Sequence, residues 1–316
     1  MILIKGANQY DISELVERVV WSGKRDSPAR TIQVKLVDFG EQRAKIDVEE
    51  GHSCIFKWKR NELFRGLITS QSDGTSKKAS FKAHDNGIRL SNNDDTFSYK
   101  NKTATEIFID ICKRFGLKYD RADDSGYRIP ELIKPCTSAW DALADALSDT
   151  FKTKGTRYYV LSKKGVLSFF RRRSSIIQLV IESGVNLLEC SRDKSIENIK
   201  TRVKITSNED TVLAEKRNTS LESKIGTFQI MSKVTEEKNS AQLNELVNSM
   251  LKEKGAPQRS LSLKALGIPD VISGVGVYII VKPIGISGTY YVEEDSHTFS
   301  GRSHTMSLTL DYAKDI

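Results

Sequence analysis

The sequence has few cysteines and no long hydrophobic run, and these two shortages exclude several classes of protein. Among 316 residues there are four cysteines, Cys54, Cys112, Cys136 and Cys190. Their scattered positions match neither a disulfide framework nor a metal or redox motif. The longest strongly apolar run covers residues 277–281, whereas a membrane-spanning helix needs about 20 such residues. We therefore predict no membrane insertion.

Acidic residues are missing from one segment of the chain. The formal net charge is +8, and the segment between Thr150 and Ile181 has eight Lys and Arg residues but no Asp or Glu. Because the chain has 49 basic and 41 acidic residues in all, the remainder is neutral. This distribution predicts one local basic surface, not a protein that binds nucleic acid along its length.

Apolar residues alternate with polar ones through the first hundred residues. Ile32, Val34 and Leu36 form one such set, and Cys54 and Phe56 begin another. A period of two places each set on one face of a strand, and glycine-containing turns separate the sets. Residues 1–100 are therefore predicted to form a small antiparallel β domain, a barrel or a sandwich.

The pattern changes to a helical period after Asn101. Thr103 and Glu106 have the spacing of a capping box, and a second helix is predicted between Ser138 and Gly155. A hairpin with its turn at Gly165 follows. We interpret residues 101–186 as an inserted α/β module.

Strands return in residues 187–316, with one helix that Ser240 is predicted to cap. The sequence thus predicts an α+β protein in which two antiparallel β domains, residues 1–100 and 187–316, lie on either side of the inserted module. The final strand is predicted to run from His304 to Tyr312 after a turn at Gly301.

The hairpin in the module contains most of the excess positive charge. It is either a docking surface for an acidic partner or nucleic acid, or a solvated edge strand that its charges protect from pairing. The candidate docking residues are Arg157, Lys163, Lys164, Arg171, Arg172 and Arg173.

Other chemical groups give weaker signals. His297 and His304 lie on either side of a predicted turn, so their rings can approach one another, but a zinc site needs three or four ligands and the spacing offers no third. Acidic runs such as 123–124 and 293–295 are interpreted as solvated charges, with a glycosidase pair as the alternative. The sequence has neither a nucleophile elbow nor a phosphate-binding loop. No catalytic, metal or cofactor site is predicted.

Several short motifs, in order along the chain, resemble the baseplate hub proteins of contractile phage tails and phage-tail-like particles, the XkdQ/YqbQ family. The motifs are Val20-Trp-Ser-Gly23, Ala29-Arg-Thr-Ile-Gln-Val34, Glu62-Leu-Phe-Arg-Gly-Leu-Ile68, Asn101-Lys-Thr-Ala-Thr-Glu106, Ser296-His-Thr-Phe299 and His304-Thr-Met306. Together they extend the resemblance over nearly the whole chain.

The resemblance implies an assembly role without catalysis or a cofactor. Members of this family are similar to the hub protein of T-even phages, in which three subunits, each with two tail-tube-like β-barrel domains, form a pseudo-sixfold ring. Such a homotrimer would join the hexameric tail tube to the trimeric spike and contact the baseplate wedge or other baseplate proteins. DNA would pass through its lumen without specific binding. The expected location is the tail baseplate of a virion or phage-tail-like particle, assembled in the bacterial cytoplasm.

Two other classes of protein remain as alternatives. One is a tail-associated cell-wall hydrolase, because hubs and spikes sometimes include such domains. The other is a carbohydrate- or nucleic-acid-binding β module, which salt-dependent DNA binding through the basic hairpin would support.

Overall fold

A computed structural model describes residues 1–37, 48–73, 79–172, 176–207, 211–234 and 239–311. These residues form five α-helices: α1 Ile88–Ser91, α2 Ala104–Arg114, α3 Ala139–Lys154, α4 Thr219–Ile225 and α5 Ser240–Lys254. They also form strands β1 Ile2–Lys5, β2 Asn8–Asp11, β3 Val16–Lys24, β4 Thr31–Leu36, β5 Ser53–Trp58, β6 Asn61–Asp73, β7 Ala79–His84, β8 Asp94–Thr103, β9 Tyr119–Ala122, β10 Arg128–Ser138, β11 Tyr158–Lys163, β12 Val166–Arg171, β13 Ile176–Glu182, β14 Leu187–Ser195, β15 Arg202–Thr206, β16 Val212–Arg217, β17 Gln229–Lys233, β18 Gln258–Leu266, β19 Gly276–Val281, β20 Ile286–Ser300 and β21 Ser303–Asp311.

The backbone contacts divide the described chain into two compact units. One consists of residues 1–191 and 262–316, and the other of residues 192–261. The α+β class predicted from the sequence is confirmed, since most of the pairing between strands is antiparallel. No helix among the described residues has the length and apolar character needed to cross a bilayer.

One sheet of 13 strands dominates the larger unit. Its order is β14-β18-β21-β20-β3-β4-β7-β6-β5-β1-β2, and β19 pairs with both β20 and β13. The central pairing is that of β3 with β20, in which Trp21 lies opposite His297 and Ser22 opposite Ser296. Strands from the beginning and the end of the chain therefore share one sheet.

The two closed barrels predicted from the sequence are not observed. The hydrogen-bonded path through the described strands ends at β14 and at β2, and neither end returns to pair with the other. Instead the 15-residue β20 pairs with β19 through its first half and with β3 through its second half. This long strand joins the two predicted β regions, residues 1–100 and 187–316, in one sheet. The boundaries of the three predicted domains stay a prediction.

Alternation produces the core of this sheet as predicted. Ile32, Val34 and Phe81 are buried, and so are Cys54 and Phe56. These side chains pack in one cluster together with Trp21, Phe64, Ile68 and Phe299. The inward face of the sheet is therefore closely packed, while the intervening side chains point away from this core.

A second apolar cluster lies between α2, α3 and the strands β8 to β12. Its central residues are Phe97, Phe108, Leu143 and Phe169. The predicted capping box is confirmed, because the Thr103 side chain accepts from the backbone N–H of Glu106 and the Glu106 carboxylate accepts from the N–H of Thr103. Ser138 caps α3, which ends at Gly155 in the left-handed conformation, also as predicted.

The smaller unit is a three-stranded sheet covered by α5. Its strand order is β16-β15-β17, and Val203 and Ile205 of β15 pack against Leu243 and Val247 of the helix. The helix begins where predicted, but its cap is Asn239, whose side chain accepts from the N–H of Gln242. Tyr312, the predicted end of the last strand, lies outside the described residues.

Gly66 provides a test of how tightly the large sheet is packed. A Cβ at this position of β6 would collide with the carbonyl oxygen of His84 and lie 2.6 Å from the ring of Phe64. We expect Gly66→Ala to lower the free energy of unfolding by about 1–3 kcal/mol, measured by urea denaturation. Ser70→Ala, at an exposed site on the same strand, should change it by less than about 0.5 kcal/mol. Equal effects of the two substitutions would contradict this packing.

Candidate interaction site at the basic hairpin

The basic hairpin consists of β11 and β12, joined by a turn at Lys164 and Gly165. Both turn residues have positive φ, 53° and 82°, the combination that a tight hairpin turn requires. The Asn86 side chain donates to the carbonyl oxygen of Gly165 at 2.6 Å. The predicted turn is thereby confirmed.

Both faces of the hairpin are buried, which alternation alone did not predict. Tyr158 and Phe169 stack at 5.3 Å in the cluster of α2 and α3. Tyr159 and Phe170 are also buried, with their rings 6.0 Å apart. The charged side chains near the ends of β11 and β12 therefore lie close to buried aromatic rings.

The six candidate docking residues do not form one surface. Lys163, Lys164 and Arg171 are exposed, and Arg157 is partly buried. Arg172 has no exposed surface at all. Arg173 lies outside the described residues.

Arg172 belongs to the interior. Its guanidinium lies 3.9 Å from the ring centroid of Tyr291, and its Nη2 donates to Asp311 Oδ2 at 3.0 Å. Glu293 Oε1 is 3.9 Å from the same nitrogen. Since these three partners are on β20 and β21, Arg172 attaches the end of the hairpin to the large sheet. It therefore cannot present its charge to a partner.

Glu293 is shared between Arg172 and Arg25. Arg25 Nε lies 2.7 Å from Glu293 Oε2. Burial and the nearby Asp311 carboxylate raise the pKa of Glu293 to about 7, although both arginines act in the opposite direction. The interpretation of the acidic run 293–295 as solvated charge is wrong for this residue, because β20 directs it toward the hairpin.

Asp295 is a second buried acid in the same run. Arg30 Nη1 donates to Asp295 Oδ1 at 2.8 Å, and a second bond joins Arg30 Nη2 to Asp295 Oδ2. The Ser273 N–H donates to the same carboxylate at 2.6 Å. Gly23 leaves room for this pair, since a Cβ there would collide with the Arg30 guanidinium. The pair was not predicted, because its members are 265 residues apart in the sequence.

The two histidines meet beside this ion pair. His297 Nδ1 and His304 Nε2 are 3.0 Å apart, and His297 Nε2 is 2.9 Å from the carbonyl oxygen of Val271. Burial lowers the pKa of both histidines to about 4. The described residues contain no group of three His, Cys, Asp or Glu that could hold a metal ion. The pair thus acts as a neutral, hydrogen-bonded part of the core.

The cysteines have the properties of packing residues. Cys54 and Cys112 are fully buried. Burial raises the pKa of both thiols to about 12, so little thiolate is available at neutral pH. The geometry of this site is therefore suited to holding strands together and to presenting a surface, not to nucleophilic chemistry through these thiols.

A family model described as YQBQ-like matches residues 19–311. The chain belongs to this family. The YQBQ-like chain is 33% identical over 302 residues to the phage-like element PBSX protein XkdQ of Bacillus subtilis (strain 168), covering 94% of this chain and 93% of the relative. The resemblance identified from the sequence motifs is confirmed.

Solved structures of phage tail proteins have the same fold as this YQBQ-like chain. The 43 kDa tail protein of prophage MuSo2 from Shewanella oneidensis is 13% identical and gives a TM-score of 0.72, with 98% of this chain and 97% of that chain covered. The E. coli c3393 protein is 11% identical with a TM-score of 0.59, covering 99% and 77%. That protein is described as a type VI secretion component similar to the T4 tail proteins gp27 and gp5.

The Arg30–Asp295 pair gives the first test of this site in the YQBQ-like chain. Arg30→Leu leaves the Asp295 carboxylate buried without its counter-charge, so we expect the free energy of unfolding to fall by about 3–5 kcal/mol in urea denaturation. The double variant Arg30→Leu/Asp295→Leu should lose less than the sum of the two single variants.

The adjacent pair Lys24–Glu294 is a matched control, because it joins the end of β3 to β20 one residue before Asp295. Its charged atoms are 3.0 Å apart and more than half of the Lys24 side chain is exposed. Lys24→Ala should therefore cost less than about 1 kcal/mol. If Lys24→Ala lowered the free energy of unfolding as much as Arg30→Leu does, burial of the ion pair would not determine the loss of stability.

His297 predicts how stability changes with pH. The folded protein keeps this ring neutral down to about pH 4, whereas the unfolded ring has a pKa near 6.5. Because the unfolded state binds the proton first, protonation of His297 favours unfolding. The free energy of unfolding therefore falls by about 3 kcal/mol as the pH decreases from 6.5 to 4. We expect His297→Gln to reduce this loss in denaturation curves recorded between pH 7 and 4. An unchanged pH profile would contradict the assignment.

Proposed function

We propose that this chain is a baseplate hub of a contractile phage tail or phage-tail-like particle. In this role it forms a homotrimer that joins the hexameric tail tube to the trimeric spike and contacts surrounding baseplate proteins. It has no catalytic activity of its own. It is assembled in the bacterial cytoplasm and resides in the tail baseplate.

The proposal is supported by family membership and by fold. XkdQ belongs to a phage-like element, and the MuSo2 protein is a tail protein. The c3393 protein connects the same fold to type VI secretion and to tail proteins of T4. These three proteins are thus a phage-like element protein, a tail protein and a type VI secretion component, and a hub role is compatible with all three.

The large sheet is the observation on which the proposal rests. Strands from both ends of the chain pair in one antiparallel array, so one subunit presents a wide, continuous surface. An adaptor of three subunits needs such a surface to cover the perimeter of a sixfold ring. The buried Arg30–Asp295 contact holds this array together from the face that packs in the core.

The opposite side of the sheet has a row of small hydroxyl groups. Thr31, Ser22, Ser296 and Ser307 lie opposite one another on four successive strands. They border a concavity of about 690 Å³ with Lys82 and Glu189 among its other residues. In the proposed trimer this side faces the passage. Its hydroxyl groups, together with charges of both signs, leave DNA without specific contacts.

The mass of the assembled protein tests the hub proposal. We expect multi-angle light scattering to give three times the 35.5 kDa of the chain, either alone or after addition of the spike protein. A monomer under both conditions would contradict a trimeric adaptor. A zymogram on peptidoglycan is the parallel control for the hydrolase alternative, and clearing by the pure chain would overturn the structural role.

A further inference from the structure

A pocket of about 210 Å³ lies between helix α3, strand β11 and the residues that follow β3. Its wall combines aromatic rings with guanidinium groups. The main lining residues are Arg25, Trp140, Phe151, Arg157, Tyr158 and Tyr159. All belong to the larger unit of the chain. The hub proposal assigns no role to this pocket.

Arg157 is the cation in this pocket that has no direct ion pair among the described residues. Its guanidinium stacks on Phe151, 3.8 Å from the ring centroid. The described residues provide no hydrogen bond or ion pair to its side chain, and its buried Nε has no partner. By contrast, Arg25 is paired with Glu293 at 2.7 Å and Arg172 with Asp311 at 3.0 Å.

The surroundings of Arg157 favour an additional anion. Burial, and then the positive charge of Arg25, lower the pKa of Arg157, and Arg172 acts in the same direction, whereas Tyr159 and Asp311 raise it. The carboxylates of Glu293 and Asp311 are in direct contact with Arg25 and Arg172, not with Arg157. Arg nitrogens are donors only, so the group that satisfies them must be an acceptor, and a carboxylate makes the stronger, charge-assisted bond.

The apolar part of the pocket restricts what can bring that anion. Trp140 and Phe151 on α3 provide ring surface beside Arg157, and the Trp140 indole N–H is already bonded to the carbonyl oxygen of Asp26 at 3.2 Å. The rings therefore offer apolar contact, and the guanidinium offers the polar contact. A carboxylate attached to a chain with apolar neighbours fits both.

We propose that this pocket binds one acidic side chain of a protein partner, with an adjacent apolar side chain against Trp140 and Phe151. The ligand is an acidic peptide segment, held by a charge-assisted bond to Arg157. The site is distinct from the exposed lysines of the hairpin, because Lys163 follows Arg157 by six residues of nearly extended chain, about 20 Å.

Nucleic acid fits the same pocket less well. A phosphate backbone is bound by a line of cations, whereas Arg157 is the single cation without a direct ion pair among the described pocket residues. Asp26 also lines the pocket and would repel any anion, and it would repel a chain of several phosphates more than one carboxylate. The single available guanidinium therefore favours a protein partner.

The test uses the full-length protein and two peptides. Both are acetylated and amidated pentapeptides, Gly-Leu-X-Leu-Gly, in which the central X is glutamate in the first and glutamine in the second. We expect saturable binding of the glutamate peptide by calorimetry, with a change in the Trp140 indole signal in NMR, and at least tenfold weaker binding of the glutamine peptide. Equal binding of the two, or no binding of the glutamate peptide at millimolar concentration, would overturn the proposal.

Arg157→Gln should weaken binding of the glutamate peptide at least tenfold. Lys164→Gln is the matched control, since it removes the same charge from an exposed residue that does not line the pocket, and it should leave the affinity within twofold. Asp26→Asn, which removes an anion from the pocket, should tighten binding and provides a second readout if Arg157→Gln fails to fold. Unchanged affinity in both pocket variants would contradict the site.

A ten-nucleotide oligothymidylate separates the two classes of partner. We expect the oligonucleotide not to displace the glutamate peptide. If it displaces the peptide at a concentration below that of the peptide, the pocket prefers nucleic acid and the proposal is overturned. The peptide measurements do not depend on the trimer. A failure here leaves the hub proposal intact, and a monomeric mass leaves this pocket intact.

Discussion

The buried ion pair between Arg30 and Asp295 is the interaction on which the large sheet depends. Two full charges removed from water are unfavourable unless they meet in good geometry. Here Arg30, directly before β4, meets Asp295 of β20 because β4 and β20 both pair with β3. The pair therefore disfavours any other alignment of these strands. Trp21, with the Arg30 guanidinium 4.1 Å from its ring centroid, and Ser273 complete the site.

Local features of the fold could be predicted from the sequence, because local chemistry determines them. The capping box at Thr103, the left-handed end of α3 at Gly155 and the turn at Gly165 each depend on residues within a few positions of one another. Alternating strands such as β4 were predictable for the same reason. The pairing of β3 with β20 was not, since no local pattern determines which distant strand completes a sheet.

The charged residues show the same difference between local features, which could be predicted, and distant partners, which could not. A run of arginines at 171–173 and a run of acids at 293–295 both suggested exposed charge, which is the usual state of such residues. Arg172, which directly follows β12, and Asp295 on β20 are nevertheless buried, each against a partner far away in the sequence. The sequence identified the two charged runs, but only the three-dimensional structure shows the partner of each charge.

The position of β20 in the chain affects how the protein is made. During synthesis β3 emerges early, whereas the strand that covers its edge begins at residue 286. At ribosomal rates this interval lasts roughly 10 to 50 seconds. Throughout it, the nascent polypeptide has an incomplete sheet with an open edge, which is a template for erroneous association between chains. Faster elongation shortens this exposure and slower elongation prolongs it, so the rate of synthesis sets how long the edge of β3 stays open.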